Sequence, residues 1–283
     1  MKTIIILNLL LLGLPSMSHA TSIEKPATVM VTLPPLAGLV LSLAPQTHVQ
    51  CLLPNNADPH HFQLKPRQVD SLRKAILLIR SPRDDKHWPG LSSQAPALTL
   101  WKENHEHEHE HHEPNHAWLN PQEVSDILPT LTNQLQQSLA LDASLMNKQL
   151  QLTQAQVKRM WQQWQTMVEA TQLKQRGVMM QHPSWQGLFE ALGVPIRGVL
   201  ESAQHGQEYG PRKLEKALAT LKEHPETILI GDSNHSNRAL VWLKKQSGHA
   251  IIPLDALGQC GEPWLDLMQR NLKTLQTLSG NQP

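Results

Sequence analysis

From Ala143 to Gln175 the chain runs without a glycine or proline, and within it Leu150, Val157, Trp161, Trp164 and Val168 recur at spacings of seven, four, three and four residues. An apolar stripe with that period is one face of an α-helix, and its length predicts a single long helix with the rest of the chain arranged on either side. On the N-terminal side, Thr28 to Thr32 (TVMVT) and His48 to Leu53 (HVQCLL) read as strands with a helix over Leu36 to Ala44 between them. A helical turn or two over Arg67 to Lys74 leads into the apolar run Ala75 to Ile79. Pro82 to Pro114 carries no period and is expected to be loop. From Gln122 a helical face appears (Val124, Ile127, Leu128, Leu131, Leu135, Leu139), which Pro129 is expected to kink or to displace at its start. Beyond the long helix the runs Gly177 to Gln181, Val194 to Val199, Thr227 to Ile230 and Ala250 to Leu254 alternate with helices, the last from about Pro263 to Leu278. Strands alternating with helices form parallel βαβ units. The predicted fold is α/β: two Rossmann-like lobes with parallel sheets, joined by a long rigid helix.

The first twenty residues read as a secretory signal. Lys2 is the positive start, Ile4 to Leu14 the apolar stretch, and Ser18-His19-Ala20 a small-x-small cleavage site. That apolar stretch is too short to span a bilayer, and no later one approaches the required length. The expected organisation is a signal peptide over 1–20, cut near Ala20, an N-terminal lobe over 21–142, the linking helix over 143–175 and a C-terminal lobe over 176–283. A formal net charge of +1 provides no basic excess for nucleic acid. Cys51 and Cys260 are far apart and form no CxxC unit; pairing, free thiols and metal ligation all stay open. A covalent tie between lobes would restrain opening, which tells modestly against pairing.

Histidine is the outlier in composition, at 16 residues against two Phe and one Tyr. The loop over about 103–116 contains HEHEHEHHEPNH, a tract that cannot build a core and that attracts metal through imidazole. Its His105, His107, His109, His111 and His112 form a candidate weak metal site; a merely solvated insertion is the alternative. Other polar residues fall where open α/β sheets bind ligands, beyond the carboxyl ends of the strands. His182 follows Gln181 directly, Asp255 follows Leu254, Asp232 comes two residues after Ile230, and His60 lies on the loop after the strand holding Cys51. His116 sits at the foot of the tract. Three imidazoles and one carboxylate (His60, His116, His182, Asp255) make a closed tetrahedral set suited to Zn²⁺ in an interlobe cleft. His61, Asp232 and His235 are candidates to touch those ligands rather than the metal.

Four segments carry a resemblance. Asn56 to Pro66 (NADPHHFQLKP) resembles the "G-A-D-P-H-x-F/Y-x-x-x-P" loop of the zinc- and manganese-binding solute receptors of ABC transporters (cluster A-I). Asn115 to Pro121 (NHAWLNP) resembles their "D-P-H-x-W-L-D-P", and a histidine-rich insertion before it is typical of the zinc-uptake branch. Gln181 to Phe189 with Leu192-Gly193-Val194, and Leu254 to Gly258 (LDALG), are similar to the third and fourth ligand segments. The resemblance spans essentially the whole mature chain and implies His60, His116, His182 and Asp255 as ligands. Asn115 and Asn120 depart from two usual aspartates, and Gly231 to His235 (GDSNH) stands where the family commonly has "E-x-Q-F".

The resemblance implies a monomeric periplasmic receptor that binds Zn²⁺ as transported ligand and hands it to a membrane ABC permease, with binding and release but no turnover. A stiff linking helix implies small lobe movements. Three rivals remain: a manganese receptor of the same fold, a zinc buffer without a permease, and a secreted zinc hydrolase. A manganese site prefers more oxygen ligands than a set containing His182 offers. The hydrolase lacks an HExxH motif and an evident general base.

Overall fold

The computed structural model describes residues 27–81, 88, 91, 96–101, 116–201 and 210–279. Two four-stranded parallel sheets form the frame. In the first, β1 (Thr28–Val31) lies between β2 (His48–Cys51) and β3 (Leu77–Arg80), and β4 (Ala97–Thr99) pairs with β3 at the edge. In the second, β5 (Val178–Met180) lies between β6 (Ile196–Val199) and β7 (Ile228–Asp232), with β8 (Ile251–Leu254) beside β7. The two lobes thus repeat one strand order. In each, the chain steps to one side of its first strand and then crosses to the other, which opens a crevice at the carboxyl ends. The inner runs Val29-Met30-Val31 and Leu77-Leu78-Ile79 are buried throughout, as strands covered on both faces must be.

β4 corrects the expectation of unbroken loop between Pro82 and Pro114. Three residues at a sheet edge, none fully buried, are too few to show a period. The helix over Pro121–Leu139 (α3, after α1 at Pro34–Leu43 and α2 at Pro66–Arg73) runs through Pro129 without ending. Pro129 lies on its exposed side. The linking helix, α4, covers Ala143–Ala170 and not the full stretch to Gln175. Asp142 starts it by accepting the Leu145 amide at 2.9 Å. Gln172, at φ 55°, stops it, and the short helix α5 (Leu173–Arg176) follows. Over its 28 residues, about 42 Å, it buries Met146, Thr153, Val157, Met160, Trp164, Met167 and Val168. Leu150 and Trp161 of the predicted stripe are half-buried beside them.

The main core is shared between the lobes: one apolar cluster includes Val29 and Leu78 of the first sheet, Val178, Ile230 and Leu254 of the second, and Trp164 of α4. A smaller cluster, with Met179, Leu221, Leu229, Leu240 and Leu243, lies within the second lobe alone. At the seam, α1 meets α4 and the last helix, numbered α9 here (Trp264–Gln276), after α6 (Gln186–Ala191), α7 (Pro211–Glu223) and α8 (Arg238–Ser247). The exposed carbonyl at the end of α1 is met by α4: Gln149 Nε2 and Thr153 Oγ1 donate to Ser42 O at 2.7 and 3.2 Å. Gly38 lets the seam close. A Cβ there would lie 2.6 Å from Glu262 O and 2.7 Å from Trp264 N, both backbone atoms unable to swing aside. Gly38→Ala is therefore expected to destabilise the protein by about 1–3 kcal/mol through overpacking, read from urea unfolding. An unchanged midpoint would show that the seam yields freely.

Candidate metal centre

The site is assembled from loops that leave the strands at their carboxyl ends. His60 sits in a short 3₁₀ turn, Pro59–His61, begun by Asp58, whose Oδ1 accepts the His60 amide at 2.8 Å. The buried Trp88 holds the same turn by donating its indole N–H to Pro59 O at 2.8 Å. His116 is 3 % exposed and adopts a left-handed backbone, φ 65° and ψ 38°. That conformation is uncommon for a residue with a Cβ and is held here by the turn next in the chain. The Ala117–Leu119 turn closes onto His116 O, and Asn120, in place of the family's aspartate, caps α3 by accepting the Gln122 amide at 3.0 Å. His182 lies two residues beyond β5, at the head of the Pro183–Trp185 turn. Trp185 of that turn stacks on Trp164 of α4 with centroids 5.7 Å apart, so the linking helix buttresses the turn that carries this imidazole.

Nε2 of His60 and Nε2 of His182 are 3.3 Å apart. Four ligands around a zinc at the usual Zn–N length of about 2.0–2.1 Å stand about 3.3–3.4 Å from each other, so this pair already has tetrahedral spacing. The His116 ring centroid lies 5.1 Å from that of His182 and 6.5 Å from that of His60. His235, after β7, stacks on His182 at 4.2 Å and stands 5.3 Å from His60. His60, His182 and His235 can each point a ligand nitrogen so that all three lie within 4.8 Å of one another; among the described residues this group includes neither His116 nor Asp255. The structure thus brings together His60, His116, His182 and His235.

Asp255 lies at the end of β8, where the sequence puts it, and is tied into a turn. Its Oδ1 accepts the Leu257 and Gly258 amides at 3.0 and 2.9 Å, and its Oδ2 pairs with Arg270 at 2.9 Å. Asp232 is 3 % exposed and accepts from the Ser184 hydroxyl and the Asn234 amide. His61 points to solvent, 78 % exposed and 4.0 Å from Asp58. His105, His107, His109, His111 and His112 lie outside the described residues.

Two carboxylates that sequence reasoning passed over hold the imidazoles. Glu201, just past β6, faces His182 Nδ1 at 3.0 Å and accepts from Gln181 at 3.0 Å. Burial would raise its pKa, but the bonds from His182 and Gln181 and the charges of His182 and His235 bring it below the ordinary carboxylate value. Asp58 stands 3.6 Å from His235 Nδ1. Burial opposes its ionisation, and the nearby His235, the His60 amide and the His60 charge outweigh that, holding it at about 2. For His235 burial works against the charged form, and Asp58, Asp232 and Glu201 overcome it, so its pKa is raised. A signal for Glu201 was available, since it too follows a strand's carboxyl end; a signal for Asp58 was its place in the DPHH segment.

Indole bonds lock the lobes beside this cluster. Trp118 Nε1 donates to Ala256 O at 2.7 Å, and Trp264 Nε1 to Trp118 O at 2.7 Å. The family model described as "ZnuA: Zinc-uptake complex component A periplasmic" matches residues 29–278. The chain belongs to this family. The ZnuA family likeness extends to solved structures. A crystal structure of ZnuA superposes with TM-score 0.77 at 20 % identity, covering 90 % of this chain and 99 % of that one. A ZnuA deletion mutant with zinc bound gives 0.78 at 20 %, covering 92 % and 100 %. A Mn-bound periplasmic metal binding protein from Candidatus Liberibacter asiaticus gives 0.73 at 14 %, covering 89 % and 99 %. At such identities the likeness is one of fold. Comparison of the sequence with curated proteins yields no match.

Proposed function

We propose that the protein is a zinc receptor of the periplasm, exported by the signal over residues 1–20, which binds Zn²⁺ through His60, His116 and His182 and hands it to an ABC permease. The observation that carries this reading is the 3.3 Å approach of His60 to His182 from opposite lobes, with His116 beside them. Imidazole nitrogens at tetrahedral spacing suit zinc, whereas manganese favours carboxylate, carbonyl and water oxygens. Glu201 on the far nitrogen of His182 is the outer partner that metal-bound histidines almost always have, and it orients the ring. The carboxylates nearest the set, Glu201 and Asp58, face the Nδ1 atoms of His182 and His235, and the set is read as binding, not turnover. Among the described residues no helix is long and apolar enough to cross a membrane.

Titration of the metal-free protein against a chromophoric chelator tests the reading. One tight equivalent of Zn²⁺ is expected, with Mn²⁺ failing to displace it; equal affinity for both would favour the manganese receptor. The tract is expected to add looser equivalents, because each residue ordered around a metal costs about 1–2 kcal/mol of backbone entropy. Deleting residues 105–112 while keeping His116 should abolish those equivalents and leave the tight constant within about threefold. Loss of the tight equivalent with the tract would mean that the tract supplies a ligand and His116 does not.

A further inference from the structure

The family pattern expects a carboxylate from Asp255 to complete the site, and this chain's own contacts argue otherwise. Both Asp255 oxygens are committed, Oδ1 to two backbone amides and Oδ2 to Arg270. Arg270 is itself fixed, donating to Glu262 at 2.7 and 3.0 Å. The backbone of Asp255 is stapled as well: its amide donates to Asn271 Oδ1 at 2.7 Å, and Asn271 Nδ2 donates to its carbonyl at 2.8 Å. Turning that carboxylate to a metal would strip two amides of their acceptor and take from Arg270 one of its two carboxylate partners.

His235 is in the opposite situation. Its side chain is 6 % exposed and already inside the cluster, stacked on His182. The loop that carries it is built by Asn237, whose Oδ1 accepts the Asp232 amide at 3.0 Å and whose Nδ2 donates to the carbonyls of Asp232 and His235 at 2.8 and 3.2 Å. Asp58 stands beside Nδ1, so Nε2 is the nitrogen left for a ligand, as Glu201 leaves Nε2 of His182. We propose that His235, and not Asp255, is the fourth metal ligand, so that the centre is four imidazoles from His60, His116, His182 and His235. Four neutral ligands leave the full charge of a divalent ion uncompensated. Two carboxylates beside the cluster, Asp58 at 3.6 Å from His235 Nδ1 and Glu201 at 3.0 Å from His182 Nδ1, supply that compensation from the far side of the rings. The ligand class is therefore a divalent ion that accepts an all-nitrogen tetrahedral shell, Zn²⁺ or Co²⁺, and not one that needs oxygen.

This inference rests on the receptor reading above, and cobalt distinguishes the two. Co²⁺ is loaded into the full-length disulfide-bonded protein and into His235→Cys and Asp255→Cys. A thiolate in the coordination shell gives a sulfur-to-cobalt charge-transfer band in the near ultraviolet, and a thiolate outside the shell gives none. The band is expected in His235→Cys alone. A band from Asp255→Cys, or one tight cobalt equivalent in His235→Cys with no band, overturns the assignment. Zinc affinity is a second measure: His235→Ala should lose more than about 100-fold, beyond what an outer partner commands, and Asp255→Asn, which keeps the Oδ1 acceptor, less than about threefold. The reverse order would restore Asp255. If wild-type protein takes up no tight metal, or His182→Ala binds as wild type does, the receptor reading falls and His235 falls with it.

Discussion

His182→Ala is expected to weaken zinc binding by more than about 100-fold while the metal-free protein keeps its fold. His182 contributes one of the two nitrogens already at ligand spacing, and truncation removes it outright. The stability of the turn does not come from the imidazole, because Trp185 on Trp164 and Ser184 on Asp232 hold it independently. Glu201→Gln should fall between, at about 10–100-fold, the usual effect of removing a carboxylate that orients a ligand histidine. Chelator competition and thermal unfolding of the metal-free variants separate the two effects. Zinc bound by His182→Ala as tightly as by wild type would remove the cluster from consideration. Protons should compete with the metal, because only neutral imidazole binds it. The raised pKa of His235 sets the sign and the window: the charged form persists above the ordinary histidine value of 6.5, so affinity should already be falling as pH drops towards 6.5.

Much of this site was readable because parallel α/β architecture puts functional side chains at predictable places. His182 and Asp255 follow their strands within two residues, and His60 follows β2 by one loop. What sequence could not show is which neighbour claims each polar atom. Asp255 occupies the expected position, but Arg270, fifteen residues on, and two amides of its own turn hold its oxygens. His235 reads locally as one more histidine in a polar loop, and only the packing of β7 beside β5 brings it over His182. The architecture was legible to a similar depth. Periodicity located both lobes and the helix between them, but not that one core runs through all three, since Gly38 and the indoles of Trp118 and Trp264 act across distances of more than a hundred residues. The same limit applied to β4, whose three residues pair with β3 without any alternation of their own.

Removing the cysteine bridge is expected to cost about 2–5 kcal/mol of stability and leave zinc stoichiometry unchanged. Cys51, the last residue of β2, is disulfide-bonded to Cys260 in the loop after β8, and the two Cα atoms are 5.9 Å apart. The expectation that a tie between lobes is disfavoured because it restrains opening is thereby corrected. The restraint is already present without it: the shared core, the close approach at Gly38 and the Trp118 and Trp264 bonds hold the lobes together. A covalent bond added to a seam already held by these contacts takes little further freedom from the native state. It takes much more from the unfolded chain, because it closes a loop of sequence separation 209, and the entropy removed grows with loop length. Cys51→Ser/Cys260→Ser should accordingly unfold about 5–15 °C earlier than wild type, and wild-type protein treated with reductant should match the variant. Neither sulfur is among the proposed ligands, so one tight zinc equivalent should remain in both. An unchanged melting temperature would mean that the unfolded chain is no looser without the bond, and a lost zinc equivalent that the bridge, and not the seam, holds the histidines of the two lobes together.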